Sequence, residues 1–311
     1  MTQDKIKNIY IQDVINIFNE NIDSVIGSKN NFFNSFSTLE NPLSHSLIWV
    51  NPQNISQIER IISQVKTCVI ITEKTPLCVI SDSATVLIVN KSKLFFIQLL
   101  NTYFIKTHPN GIHPTAVIDS EAQLGNNVYI GPHCVIGKCN IGDNCILEGN
   151  NYVYDNVIMG NNIILQAGAI IGAKGMSLSR NVNNELIGFP SLGKVIIEDD
   201  VEVGSNSCID CAVLESTVIG KGTKINNLCF IGNSVKLGTH NFLASGVNIN
   251  GSVHIGNNNF IGSGATIRNK ISIGNNNTIG AGAVVVKNID NNSTWIGNPA
   301  KKTEQSKGIQ L

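Results

Sequence analysis

The sequence is poor in charge and in aromatic side chains. Of its 311 residues, 14% are charged and 6% are aromatic, whereas 42% are hydrophobic and 28 are glycine. These proportions favour a β-rich chain with many tight turns and an aliphatic core. Lys plus Arg and Asp plus Glu both number 22, so the net charge is zero. A nucleic-acid partner is not expected, because phosphate binding requires clustered basic residues.

Long apolar runs are also missing. The longest, residues 94–105, is interrupted by Gln98, Asn101 and Thr102 and is too short to span a bilayer. The N-terminal segment MTQDKIKNIYIQDV is polar and mixed in charge, unlike a signal peptide. We expect a cytoplasmic protein without membrane insertion.

The eight cysteines do not form a metal-binding pattern. Cys208 and Cys211 have CxxC spacing, but no second such pair and no nearby pair of histidines completes a zinc site. The other cysteines stand where small apolar residues would pack. We expect reduced packing cysteines and no metal.

A six-residue repeat runs through the chain from Ile112 onward. An aliphatic residue opens each unit and glycine commonly follows, as in LGNNVY, IGPHCV and MGNNII. This short fixed period predicts a parallel β-helix, with the opening residue pointing inward and Gly and Asn at the corners. The three- and four-residue spacing of an amphipathic α-helix is absent.

Two regions depart from the repeat. Residues 173–193 abandon the period and predict an insertion at one edge of the β-helix, which either walls off a binding site or is a tolerated surface loop. Residues 1–106 predict a small α/β domain, with strands at 46–50, 68–72 and 85–89 and helices at 55–64 and 94–104. The β-helix then covers residues 107–290. Residues 291–311 form a tail, expected to be disordered from Lys302.

The repeat, together with GNPAK at 297–301, resembles the hexapeptide-repeat acyltransferases. That resemblance implies a left-handed β-helix, a homotrimer and an acyl thioester donor. Within the family, the arrangement is most similar to the UDP-acylglucosamine N-acyltransferases of lipid A synthesis. The motifs that carry this similarity are LIWVNP at 47–52, HPTAVID at 113–119, GAKG at 172–175, FPSLGKVIIEDDVEVG at 189–204 and CID at 208–210.

The resemblance also assigns site residues. It implies that the backbone N–H of Gly251 is an oxyanion donor and that Asn227 orients the sugar. Trp49, Asn51 and Asn90 fall in the nucleotide-binding part. For contacts with coenzyme A it implies Gly264, Gly282, Asn298, Pro299 and Lys301.

The proton acceptor is the main departure from the family. Asn233 stands where the family has its catalytic histidine, and an amide is not a base, although it can position an amine by hydrogen bonding. A second family histidine is Lys270 here. His240, at the next corner, is a candidate base if a trimer brings that edge to the site, and His254 is a weaker one. The remaining alternative is substrate assistance, in which the departing thiolate takes the proton.

The chain end distinguishes the candidate functions at this point. The long helical extension that receives acyl carrier protein in the lipid A enzyme is not found in this sequence. We therefore expect an acyl-CoA-dependent N-acyltransferase that acts on a nucleotide-linked amino sugar in cell-surface polysaccharide synthesis. The alternatives are a UDP-3-O-acylglucosamine N-acyltransferase of lipid A synthesis that uses acyl carrier protein, and a non-catalytic β-helix that binds ligands.

Overall fold

A computed structural model describes residues 7–105 and 110–303, and the chain divides into two units, Met1–Thr107 and His108–Leu311. The predicted boundary near residue 106 lies outside the described residues. The first unit contains seven strands and three α-helices: β1 Ile9–Tyr10, α1 Ile11–Phe18, β2 Ile22–Gly27, β3 Phe32–Phe33, β4 Ser35–Ser37, β5 Ser46–Trp49, α2 Ile58–Gln64, β6 Cys68–Thr72, β7 Ala84–Val89 and α3 Ser92–Tyr103. Short 3-10 helices occupy Asn19–Asn21 and Pro52–Gln57.

The first unit is built on a five-stranded sheet in the order β2-β7-β6-β5-β4. Strands β4 to β7 are parallel, and β2 joins the β7 edge antiparallel. The side chains of β6 and β7 are buried without exception, as expected for central strands covered by helices on both faces. The predicted helix at 55–64 is preceded and overlapped by the 3-10 helix Pro52–Gln57, which has Pro52 at its start, and only Ile58–Gln64 is α-helical.

The second unit is a left-handed parallel β-helix with three faces, which confirms the prediction from the repeat. We call the faces 1, 2 and 3 in the order in which each coil visits them. Face 1 consists of Val117–Ile118, Val135–Ile136, Tyr152–Val153, Ile170–Lys174, Cys208–Cys211, Phe230–Ile231, Asn248–Ile249, Thr266–Ile267 and Val284–Val285. Face 2 consists of Gln123–Leu124, Asn140–Ile141, Val157–Met159, Lys194–Ile197, Ser216–Ile219, Lys236–Leu237, His254–Ile255 and Ser272–Ile273.

Face 3 consists of Gly111–Ile112, Tyr129–Ile130, Ile146–Leu147, Ile164–Leu165, Glu202–Val203, Lys224–Ile225, Phe242–Leu243, Phe260–Ile261, Thr278–Ile279, Thr294–Ile296 and Lys301–Thr303. The last of these strands runs antiparallel to Thr294–Ile296. The prediction of disorder from Lys302 is therefore wrong for Lys302 and Thr303, which the ladder holds. The predicted tail beyond them, residues 304–311, lies outside the described residues.

The core of the β-helix is a set of stacked columns of aliphatic side chains. Ile231 pairs in register with Ile209 on one side and Ile249 on the other, and all three are fully buried. The preceding residue of each two-residue strand points outward, because successive side chains of a strand alternate between its two sides.

Shortening one column residue should destabilise the β-helix. We expect Ile249→Ala to lower the free energy of unfolding by about 2–5 kcal/mol, because it removes buried methyl groups and leaves a cavity. Asn248→Ala is the matched control, since Asn248 is the exposed neighbour on the same strand. Denaturant titration of both variants measures the difference, and equal stability of the two would contradict the column as the source of stability.

Candidate functional site

Three segments that the sequence separates meet at the edge between faces 1 and 2, which we call edge 1–2. Asn233 and Gly251 are equivalent corner residues of successive coils, joined by the Ser252 N–H, which donates to the Asn233 carbonyl at 2.9 Å. The insertion at residues 173–193 leaves the β-helix at this same edge. The structure thus brings together two of the predicted site residues and the insertion.

The backbone N–H of Gly251 and the side-chain carboxamide of Asn233 are unpaired among the described residues. At comparable corners the second residue has its backbone N–H held by a side chain of the next coil, as when Asn126 donates to Asp143 at 2.6 Å and Asn257 to Asn275 at 2.7 Å. Neither the N–H of Gly251 nor the carboxamide of Asn233 has such a partner among the described residues. Both groups are therefore free to bind a ligand.

The insertion projects from this edge as an ordered β-hairpin whose two strands are exposed. Leu178–Arg180 pairs antiparallel with Leu186–Gly188, and Ala173 and Lys174 extend face 1 beside Asp210 and Cys211. The return strand is anchored where the Gly193 N–H donates to the Ala212 carbonyl at 3.1 Å.

Gly175, at the start of the insertion, stands between two polar side chains. A β-carbon at Gly175 would lie 3.0 Å from Oδ2 of Asp210 and 3.2 Å from Cβ of Asn233. These two side chains therefore border the same small space. The space is open because residue 175 is a glycine and has no side chain to fill it. At Gly251, a β-carbon would come within 2.6 Å of Oδ1 of Asn233.

Asp210 is a site residue that the sequence reasoning did not single out. It is only 7% exposed, and burial raises the pKa of its carboxyl group to about 6, although a hydrogen bond from the Cys208 thiol at 3.8 Å opposes the rise. The signal in the sequence was weak, because the aspartate of the CID triplet looks like any aspartate at a corner of the β-helix. It differs from them only in its buried surroundings, which the triplet does not show.

His240, the predicted candidate base, lies on another edge. It occupies the corner between faces 2 and 3, is exposed, and has φ 53° with its N–H bound to the Lys221 carbonyl at 2.9 Å. His254 is exposed on face 2, between Lys236 and Ser272 in register. Within one chain, neither histidine lies on edge 1–2 with Asn233. Asn233 and His240 are therefore close in the sequence but lie on different edges of the β-helix.

Asn227 lies on the third edge, between faces 3 and 1. Its Oδ1 accepts a hydrogen bond from the Ser205 N–H at 2.8 Å, and its carbonyl accepts one from Gly246 at 2.9 Å. Within one chain, Asn227 therefore holds the corner ladder and does not face Gly251.

The residues assigned to coenzyme A also lie on the edge between faces 3 and 1, or next to it. Gly264 and Gly282 are exposed corner residues with φ 68° and 66°, and a β-carbon at either would meet nothing within 4 Å. Asn298 and Pro299, joined by a cis peptide bond, follow the last parallel strand of face 3. Lys301 begins the antiparallel strand that returns along it.

The first unit contains a cavity of about 460 Å³ at the carboxyl ends of β4 and β5. Its lining includes Trp49 and Asn51, which the resemblance assigned to the nucleotide, and the aromatic rings of Phe36 and Phe96, which the sequence reasoning missed. The Trp49 indole N–H donates to the Ser92 hydroxyl at 3.0 Å, which fixes the ring. Asn90 is exposed after β7 and is not one of the lining residues.

The cysteines are free thiols, and most are buried. Burial raises the pKa of Cys208 to about 11 and that of Cys68 to about 12. Within residues 7–105 and 110–303, no group of three His, Cys, Asp or Glu side chains is arranged to hold a metal ion. Over the same residues, no helix is long and apolar enough to cross a membrane.

Comparison with known proteins identifies the family. Residues 252–287 match the family described as bacterial transferase hexapeptide (six repeats). UDP-3-O-acylglucosamine N-acyltransferase 1 of Legionella pneumophila (strain Paris) is 32% identical over 263 residues, which cover 76% of this chain and 71% of that protein. This chain belongs to the hexapeptide-repeat acyltransferases.

Other members of the family match over shorter regions. A UDP-3-O-acylglucosamine N-acyltransferase of Coxiella burnetii (strain RSA 493 / Nine Mile phase I) is 34% identical over 185 residues, which cover 53% of this chain and 54% of that protein. The chain thus spans about half the length of this Coxiella relative. Among solved structures, the UDP-N-acetylglucosamine O-acyltransferase of Moraxella catarrhalis is 26% identical, with a TM-score of 0.56 over 62% of this chain and 73% of that chain.

The expectation of an acyl-CoA-dependent enzyme of cell-surface polysaccharide synthesis is wrong. The relatives are named UDP-3-O-acylglucosamine N-acyltransferases, which was the alternative. The expectation relied on the GNPAK turn and on a helical extension not found after it. The turn follows face 3, away from Asn233 and Gly251, and the end of a sequence does not establish what the whole protein lacks.

The raised pKa of Asp210 makes stability depend on pH. Because the folded state keeps this carboxyl protonated to a higher pH than the unfolded state does, the free energy of unfolding should fall as pH rises from about 4 to 6. The loss should approach about 3 kcal/mol. Asp210→Asn should remove this part of the pH dependence, and denaturant titration at pH 4 and pH 7 measures it. The exposed corner variant Asp155→Asn is the control, and identical pH dependence in both variants would contradict the assignment.

Proposed function

We propose that this chain transfers an acyl group from a thioester of acyl carrier protein to the amine of UDP-3-O-acylglucosamine. The observation that carries the proposal is the pair of unpaired groups on edge 1–2, the N–H of Gly251 and the carboxamide of Asn233, beneath the insertion. The names of the relatives supply the acceptor. The proposed donor follows the resemblance to the lipid A enzymes.

The two groups suit the chemistry of acyl transfer from a thioester. The amine attacks the thioester carbonyl, a C–N bond forms, and the C–S bond breaks as the thiol leaves. The N–H of Gly251 donates to the carbonyl oxygen as it becomes negatively charged, and such donors are worth about 10²–10³ in rate. The Asn233 carboxamide orients the amine, which gains from being held close to the carbonyl carbon.

The first unit is suited to the nucleotide part of the acceptor. A uracil ring is flat and carries amide-like donors and acceptors, and the cavity at the ends of β4 and β5 offers the rings of Trp49, Phe36 and Phe96 with the amide of Asn51. We therefore propose that residues 1–106 bind the nucleotide, with Asn90 at the margin, and that the β-helix of residues 107–290 carries out acyl transfer.

The site requires more than one copy of the chain. Asn233 and Gly251 lie on edge 1–2, whereas Asn227, Gly264 and Gly282 lie on the edge between faces 3 and 1. We propose a homotrimer in which this second edge of a neighbouring copy faces the site. Its exposed glycines, continuing to the 297–301 turn, would then leave room for the pantetheine arm of the donor. His240, on the edge between faces 2 and 3, has no role in this arrangement.

Exposed apolar side chains on face 1 support this association. Val117, Tyr152 and Ile170 point outward and are 63%, 39% and 37% exposed, and Tyr152 and Ile170 are neighbours in register. Contiguous exposed apolar residues of this kind mark interaction surfaces.

Purified protein should acylate UDP-3-O-acylglucosamine when it is given acyl carrier protein thioester, with one free thiol released per acylated sugar. Gly175→Ala should lower turnover at least tenfold, because the added methyl group fills the space between Asp210 and Asn233. Gly188→Ala, in the same insertion but with nothing within 4 Å of the added methyl group, should retain activity. Thiol release and mass spectrometry of the sugar measure both.

Three outcomes of this assay would count against the proposal. Absence of turnover with the matched substrates would contradict the enzyme assignment and favour a binding protein. Turnover with acyl-CoA alone would contradict the donor. Equal loss of activity in Gly175→Ala and Gly188→Ala would contradict the location of the site.

Light scattering in solution should give three times the 33.5 kDa mass of the chain. Ile170→Glu should reduce the mass to that of one chain, because it would bury a charge in the apolar contact. Ser272→Glu, on the outward side of face 2, is the control and should stay trimeric. A trimer that survives Ile170→Glu would show that face 1 is not the interface.

A further inference from the structure

We propose that the carboxylate of Asp210 is the proton acceptor of this acyltransferase and takes the place of the histidine that Asn233 replaces. This inference rests on the proposed function, and it assigns a catalytic role to a residue that neither the sequence reasoning nor the comparisons single out. It also removes the need for His240 or for substrate assistance.

Asp210 is buried without an ordinary structural partner among the described residues. Asp210 is 7% exposed, and among the described residues its only hydrogen-bond donor is the Cys208 thiol, a weak donor. A buried carboxylate normally has a cation or several N–H donors, because removing the charge from water is costly. Elsewhere in this β-helix corner carboxylates hold backbone N–H groups, as the half-buried Asp143 and the exposed Asp155 do. Asp210 stabilises no comparable contact.

Asp210 lies on the same edge of the β-helix as Asn233 and Gly251. Asp210 follows the buried strand residue Ile209 on face 1, one coil before Asn233 and two coils before Gly251. Oδ2 of Asp210 and Cβ of Asn233 both border the space above Gly175. Oδ1 of Asn233 in turn lies beside Gly251. An amine held by Asn233 beneath the Gly251 N–H is therefore next to the Asp210 carboxylate.

The titratable and polar groups around Asp210 lie on its own strand, on the adjacent strand and on the next coil. Its own strand contributes the thiols of Cys208 and Cys211, both neutral near pH 7 because burial raises their pKa values. The adjacent strand of face 1 contributes Lys174, whose register partner is Cys211 and not Asp210. The next coil contributes the neutral Asn233. No cation among the described residues is paired to Asp210, so burial dominates and raises the pKa of its carboxyl group to about 6, which matches a base that works near neutrality.

The proton balance of the reaction is complete with this residue. The neutral amine attacks the thioester carbonyl, and the nitrogen becomes positively charged as the C–N bond forms. Asp210 accepts a proton from that nitrogen, the C–S bond breaks, and the thiolate receives the proton from the Asp210 carboxyl group. Amide and thiol are the products, and no oxidant, metal or further reactant is needed.

The test compares wild-type protein, Asp210→Asn and the control Asp155→Asn in the acyl carrier protein assay from pH 5 to pH 9. Wild-type kcat should fall on the acid side with a midpoint near 6, as the carboxylate becomes protonated. Asp210→Asn should lose about 10²–10⁴-fold in kcat, and its residual rate should lack that acid limb. Its KM for the nucleotide sugar should change little, because the base acts on the amine and not on the uridine. Asp155→Asn should behave as wild type, since Asp155 is an exposed corner residue.

Folding is checked in the same samples. Asp210→Asn should melt at a higher temperature than wild type at pH 7.5, because an unpaired buried charge has been removed. A more stable and inactive variant supports the proposal. If Asp210→Asn keeps the kcat of the wild type and the same fall in kcat at acid pH, the role of Asp210 as proton acceptor is overturned. That result would favour proton transfer straight to the thiolate and would leave the proposed function intact. Absence of turnover in the wild-type protein would instead overturn the proposed function and the inference with it.

Discussion

The β-helix depends on one backbone constraint, a residue with positive φ at nearly every corner. Asparagine takes this place most often, because its short polar side chain tolerates the left-handed conformation. Its N–H then donates to a carbonyl of the preceding coil, as Asn144 does to Asn126 at 2.8 Å and Asn162 to Asp143 at 2.9 Å. Each corner is thereby fixed to the one before it. The inward aliphatic residues fall into continuous columns because the corners are in register.

The same constraint explains why a functional site can be placed on an edge without weakening the scaffold. The N–H of the positive-φ residue carries the stacking, so Ser252 and Lys270 keep edge 1–2 in register through the carbonyls of Asn233 and Gly251. The residue before it at each corner is free to vary. Where Asn257 uses its side chain to hold a neighbouring N–H, Asn233 does not, and the edge gains unpaired polar groups at no cost to the ladder.

Much of this arrangement follows from the sequence, because the repeat has a fixed length and each residue keeps its place within it. The fold, the inward columns and the insertion at 173–193 were predictable, as was the pairing of Asn233 with Gly251, which are 18 residues apart and so lie one coil apart. His240 was misleading, because it lies seven residues beyond Asn233 and a step of about six residues already moves a side chain to the next edge. Asp210 was not predictable, since its burial depends on the insertion returning over it. The expectation of acyl-CoA as the donor was wrong because it relied on an extension not found in the sequence, and not on residues that contact a donor.

Asp210 and Asn233 show how the chemistry of one edge can be redistributed. A histidine at the corner of Asn233 would be partly exposed, and its imidazole would act as a base without help from burial. A carboxylate at an exposed corner is too weak a base near neutrality, because its proton leaves at far lower pH. Moving the carboxylate one coil down, under the insertion, desolvates it and makes it a stronger base. The cost is a buried charge without a partner among the described residues. The insertion, whose Gly175 borders both Asp210 and Asn233, is in a position to desolvate the base and to bound the space for the amine.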